Sequence, residues 1–147
     1  MFTGHRNLEE DFSARKLKKE IKTLIQKGVT TFYNGFAVGF DMEAVKILLS
    51  LKKKYPDVKL IACIPCPNQD KYFSEQQKKE YNNLLKQADE EVLVSPVYNA
   101  GCMLKRNRYM AEHADCMIAY CKKDKGGTAY TVNYFEKINP GSKIIFL

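Results

Sequence analysis

A chain of 147 residues, 45% of them hydrophobic, is long enough to bury a core, and residues 1–147 are expected to form one domain rather than a disordered polymer. Lys and Arg outnumber Asp and Glu by 24 to 17, for a net charge of +7, which favours an anionic partner, although the basic residues are not gathered into one arm. The longest apolar runs are about half of the ~20 residues that span a bilayer, so no membrane partner is expected. The five cysteines, Cys63, Cys66, Cys102, Cys116 and Cys121, are odd in number and scattered through apolar segments. With no charged-then-apolar leader visible, they fit a cytoplasmic protein better than a disulfide framework.

In chain order, Phe2-Thr3 before Gly4 reads as the end of a first strand. Residues 8–27 carry Leu17, Ile21, Leu24 and Ile25 on one stripe with lysines opposite, which predicts a helix stopped by Gly28. The segment "VTTFYNG" is a second strand. Residues 41–54 are a helix, apolar over most of its circumference and therefore expected to be buried. "VKLIACIP" is a continuous apolar strand of the kind covered on both faces. Residues 74–88 are a helix whose Ser74 and Gln77 make a capping box. "EEVLVS" is a fourth strand, residues 101–114 a fourth helix, "DCMIAYC" a fifth strand, residues 127–138 a fifth helix and "KIIFL" a sixth strand. This alternation predicts an α/β fold of three layers, Rossmann-like, with a mostly parallel sheet and helices on both faces. Such sheets bind ligands outside the carboxyl ends of their strands, so the loops there are where chemistry is sought.

The loop after strand one is "TGHR". Gly4 permits a tight turn, and His5 and Arg6 offer cationic or hydrogen-bonding groups. After strand two, "NGFAVGFD" places Gly35 and Gly39 before a helix that begins near Asp41; the spacing is not the G-x-G-x-x-G fingerprint, and Asp41 also suits an N-cap. After strand three, Cys63 and Cys66 have zinc-like spacing but no second ligand pair, so no metal is expected. In helix four, Asn107 sits within the apolar stripe with Arg106 and Arg108 to either side, an arrangement that suits an anion. After strand five, Gly126 and Gly127 leave the backbone unobstructed. Thr128 starts a helix whose Thr128, Thr131, Val132 and Phe135 share the inward face, which suits a phosphate on free amides.

In that order, "FTGHR", "NGFAVGFD", "KRNRYM" and "KGGTAYT" resemble the SLOG superfamily, the Rossmann-like domains related to DprA and to the LOG phosphoribohydrolases. Within it they resemble the small stand-alone family DUF1273, which includes the YpsA and YoqJ proteins. The resemblance runs over essentially the whole chain. It implies a nucleotide crevice with Gly4, His5 and Arg6 on one side and Gly35, Gly39 and Asp41 beneath. Arg106 and Asn107 would approach from helix four, with Gly126, Gly127, Thr128 and Thr131 at the phosphate. It also implies a homodimer, which the apolar second helix would permit. Members of the family carry several apolar residues before "FTGHR", whereas Met1 immediately precedes Phe2 here. A short strand one is therefore expected to weaken the sheet at the crevice.

The LOG enzymes use a glutamate in Gly-Gly-x-Gly-Thr-x-x-Glu, together with an arginine, to cleave an N-glycosidic bond. The corresponding position here is Thr131, whose hydroxyl supplies neither a charge nor a base near neutral pH. The sequence therefore favours binding or sensing of a nucleotide or nucleotide-derived, for instance NAD-derived, ligand over cutting one, with no catalytic residue and no cofactor. Two alternatives stand beside it. One is an N-glycoside hydrolase acting on nucleoside monophosphates, with Asp41 or Asp115 as acid or base. The other is DprA-like binding of nucleic acid.

Overall fold

A computed structural model describes residues 1–147. Its elements, in chain order, are β1 (Phe2–Gly4), α1 (Ala14–Gln26), β2 (Thr31–Asn34), α2 (Phe40–Lys52), β3 (Lys59–Ile64), α3 (Glu75–Leu85), β4 (Glu90–Leu93), α4 (Cys102–His113), β5 (Cys116–Tyr120), α5 (Gly127–Ile138) and β6 (Lys143–Phe146). Every strand pairing is parallel. The strands form two ladders, β1-β5-β6 and β2-β3-β4. β1 and β2 lie side by side between them. No ladder joins this pair; instead the rings of Phe2 and Phe32 stack at 5.7 Å. The layer therefore runs β6-β5-β1-β2-β3-β4 with a seam of side chains at its centre, and the chain order reverses between β1 and β5.

The alternation of residues along the strands makes the three layers. In β3, Leu60, Ala62 and Ile64 join the larger core cluster, which includes Leu17 and Ile21 of α1 and Val45 and Leu48 of α2. Ile61 and Cys63, pointing the other way, join Met110, Val132 and Phe135 of α4 and α5. β5 divides in the same manner, with Ile118 and Tyr120 on the first side and Met117 and Ala119 on the second. Strands covered on both faces read as apolar runs for this reason. Arg15, Lys16, Lys18, Lys19 and Lys22 of α1, and Lys27 just after it, are all exposed, a solvated face.

Two expectations need correction. The first helix does not begin at residue 8. Phe12 is drawn into edge-to-face contacts with Tyr120 and Phe40, at 5.4 and 6.2 Å. The Tyr120 hydroxyl meanwhile donates to Asp11 and accepts from the Glu9 amide. Residues 9–12 are thus held as a loop, and the helix starts only after Ser13, whose hydroxyl accepts from the Lys16 amide at 3.2 Å. The apolar circumference of α2 is buried as expected, with Phe40, Met42, Ala44, Val45, Leu48 and Leu51 packed within this one chain. Secondly, Asp41 is not an N-cap: that place is taken by Gly39, at φ +89°. A Cβ on Gly39 would stand 2.1 Å from the Arg6 carbonyl oxygen, so the glycine is what lets α2 start directly against the β1 loop.

Candidate functional site

The carboxyl ends of β1 and β5 meet at the reversal of strand order, where open α/β sheets bind ligands. A crevice of about 330 Å³ opens there. The β1 loop supplies Gly4, His5 and Arg6 to its wall, α2 supplies Asp41, α4 supplies Arg106 and Asn107, and α5 supplies Gly127 and Thr128. Four residues named from the sequence do not line it: Gly35, Gly39, Gly126 and Thr131. Gly35, Gly39 and Thr131 act inside the fold, while the exposed Gly126 is the N-cap of the fifth helix. Thr3, Ala37, Met103, Leu104 and Met110 also form the wall and carry no sequence signal of their own. Only the fold brings them there.

The first turn of α5 faces this space. Gly126, at φ +101°, is its N-cap, and no side chain caps the helix. The opening amides of a helix have no partner within it and carry the positive end of its dipole. His5 stands beside them. Its Nε2 accepts from the Lys122 amide at 2.8 Å, which leaves the ring proton on Nδ1, 3.5 Å from the Thr128 hydroxyl. Burial, reinforced by Lys123, lowers the pKa of His5, so near neutral pH it serves as a neutral hydrogen-bonding group rather than a cation. Arg6 is exposed at the mouth and pairs with no carboxylate of the chain.

The expectation for α4 was two arginines flanking an inward asparagine, and it is corrected at both. Arg106 is the inward residue. It is buried, and its guanidinium donates through Nη1 to the carbonyls of Gly35 and Cys63 and through Nε to Asn107 Oδ1 at 2.8 Å. Asn107 is half-buried. Its Nδ2 donates to Thr131 Oγ1 at 2.8 Å, and that hydroxyl donates to the Gly127 carbonyl at 2.7 Å. Arg106, Asn107 and Thr131 therefore form a relay that fixes the first turn of α5 to the loop after β2 and to the end of β3. Arg108 lies outside the crevice, with Nε on the Tyr130 hydroxyl at 2.6 Å and the guanidinium over the Tyr130 and Tyr134 rings. A helical wheel gives direction but not reach, and a long guanidinium aimed a little off the stripe still arrives in the core.

Asp41 lies beside Arg106. Both side chains come within 3 Å of the point where a Cβ on Gly35 would stand, which is why a glycine sits there. No ion pair closes between them. One oxygen of Asp41 accepts from the Ala37 amide at 3.4 Å, and the other is buried without a partner. Burial raises the carboxyl to about 6, against the opposing pull of Arg106. Asp41 is therefore an acid that titrates near neutrality with one lone oxygen at the crevice wall. Asp115 is elsewhere. It borders a larger cavity of about 430 Å³ at the amino ends of the strands, together with Lys27 and His113 at the ends of α1 and α4. Helix carboxyl ends point there, so its dipoles disfavour an anion despite its size. No group of three or more His, Cys, Asp or Glu residues is placed to hold a metal. No helix is long and apolar enough to cross a membrane.

A family model named YpsA, described as the YspA SLOG family, matches residues 3–144. The chain belongs to the YpsA SLOG family. It is 32% identical over 146 residues to the SPbeta prophage-derived protein YoqJ of Bacillus subtilis, covering 88% of this chain and 85% of YoqJ. The UPF0398 protein YpsA of the same organism is 25% identical, with 88% of this chain and 76% of that protein covered. The similar UPF0398 protein of Halalkalibacterium halodurans is 23% identical, with 85% and 66% covered. Among solved structures, DNA processing protein A from Streptococcus pneumoniae superposes with a TM-score of 0.68 at 18% identity, over 99% of this chain and 48% of that one. The YpsA-family chain thus spans about half of that protein and shares its α/β fold.

Proposed function

We propose that this chain holds a phosphate-bearing, nucleotide-type ligand in the crevice at the ends of β1 and β5, and does not cut it. The observation that carries this is the uncapped first turn of α5, which faces the crevice beside the Thr128 hydroxyl, neutral His5 and unpaired Arg6. Thr131 supports binding over hydrolysis, because its hydroxyl is spent on the Gly127 carbonyl and Asn107. Ligand identity is tested by thermal shift with AMP, ADP-ribose, NAD and dinucleotides. A ligand at one hundred times its Kd stabilises by about 2.7 kcal/mol, a readable rise in Tm. Replacement of Arg6 by alanine is expected to reduce that rise without lowering the Tm of the free protein. No shift with any nucleotide, and none carried through purification, would sink the proposal.

One observation favours a second reading, N-glycoside hydrolysis. The buried carboxyl of Asp41, raised to about 6, is suited to proton transfer near neutral pH. Release of free base from nucleoside monophosphates at high protein concentration, abolished in Asp41→Asn, would establish it over the first. Binding of nucleic acid rests on the net charge and on the fold shared with DNA processing protein A, and the α1 lysines lie outside the crevice.

A further inference from the structure

Beyond the crevice, a second cavity of about 220 Å³ lies at the carboxyl end of β3. Pro67, Gln69, Lys71, Tyr72 and Tyr98 line it, and Met103 belongs to both cavities, so the two adjoin across one side chain. Tyr72 is 86% exposed and Tyr98 73%. Two of the six large apolar side chains that the chain leaves in water therefore line this one cavity. Lys71 lies over the Tyr72 ring, with Nζ 5.3 Å from its centre. Scattered exposed apolar residues mean little, but two exposed aromatic rings at one largely apolar cavity suit a flat ring.

Gln69 supplies the independent observation. It is more than nine-tenths buried. Its Nε2 donates to the Gly35 carbonyl at 2.9 Å, the same carbonyl that Arg106 holds. That bond sets the amide's orientation, because only the nitrogen can donate. Oε1 is then the free atom, and it is buried with no partner. A buried acceptor left empty is costly, and a donor at the cavity wall, from water or from a bound molecule, relieves that cost.

We propose that this second cavity seats the base of the ligand, stacked on Tyr72 and Tyr98, with an N–H on its edge directed to Gln69 Oε1. The proposal rests on the crevice as the anion seat and extends it. From the start of α5, after β5, to the loop after β3 is three strand positions, two at the ladder spacing and one across the β1–β2 seam, a span of at least about 14 Å. A nucleoside carrying a pyrophosphate spans that distance better than a monophosphate. The ligand class is therefore a nucleoside diphosphate, free or esterified, whose base carries a donor edge.

The experiment separates the two seats by calorimetry with three probes: inorganic pyrophosphate for the anion, the nucleosides adenosine, guanosine and cytidine for the base, and their 5′-diphosphates for both. One diphosphate is expected to bind at least tenfold more tightly than pyrophosphate, since stacking on an aromatic side chain contributes about that much per base. In Tyr72→Ala and Tyr98→Ala that advantage falls by about tenfold while pyrophosphate binding is unchanged; Tyr98→Phe keeps it. Both tyrosines are exposed, so these variants fold. If every diphosphate binds no better than pyrophosphate, or the alanine variants weaken both probes equally, the base seat is wrong and the anion seat stands. If nucleosides bind through the tyrosines and pyrophosphate does not bind, the anion seat is wrong. If nothing binds, both fall.

Discussion

Asp41→Asn tests whether burial or Arg106 controls the carboxyl at the crevice wall. Asp41 is shifted upward from 3.8 to about 6, with burial as the larger cause and Arg106 and Arg6 opposing it. A carboxyl whose folded pKa exceeds its unfolded pKa takes up a proton on folding between the two values. The contribution of Asp41 to stability is then greatest below about pH 4, falls as pH rises through the window to about pH 6, and stays low above it. A shift of about two pH units corresponds to about 3 kcal/mol. Asparagine does not titrate, so the variant loses this dependence. Urea unfolding of both proteins from pH 4 to pH 7 measures it. The stability of Asp41→Asn minus that of wild type is expected to rise by about 3 kcal/mol across the window. Any fixed cost of placing an amide against the Ala37 N–H drops out of that slope. A flat difference, or one that falls with rising pH, would mean that Arg106 holds Asp41 ionised, and the reasoning from burial would be refuted.

Three further outcomes follow from the same geometry. Asn107→Ala leaves Arg106 Nε and Thr131 Oγ1 without their partner and should cost about 1–3 kcal/mol in urea unfolding, with weaker binding of any phosphate at α5. Gly39→Ala sets a methyl against the Arg6 carbonyl at positive φ and should cost about 3 kcal/mol or more, whereas Gly126→Ala, also at positive φ but with open space around it, should cost about 1–2 kcal/mol. Iodoacetamide on the native protein should label Cys116 and Cys121 well before buried Cys63, Cys66 and Cys102, as mass spectrometry reads; burial pushes the Cys63 thiol up to about 12, which slows it further.

Much of the architecture was legible because it rests on local rules. The period-two division of "KLIACI" between two cores and the Ser74–Gln77 capping box need only neighbouring residues, and both are present. The start of α1 was not legible, because it depends on Tyr120, more than a hundred positions along the chain. In the site, the loops that the resemblance marked do converge on one crevice. The roles within it were less visible. Arg106 does line the crevice as expected, but the sequence did not show that it is also the hub that ties Gly35, Cys63 and Asn107 together. The empty oxygen of Gln69 was missed, since its signal is an amide orientation that exists only once Gly35 is in place.

The seam between β1 and β2 has a further consequence. Where backbone ladders are continuous, a sheet opens as one cooperative unit; here the two half-sheets are joined by stacked rings and helix packing, a line of lower cohesion through the middle of the layer. The crevice straddles that line: Arg6 and Thr128 belong to the half built on β1 and β5, and Asp41 to the half that follows β2. A ligand touching both is a staple across the fault, so its binding energy is spent on holding the halves together, and amide exchange along the facing edges of β1 and β2 reports occupancy of a site that those amides never touch.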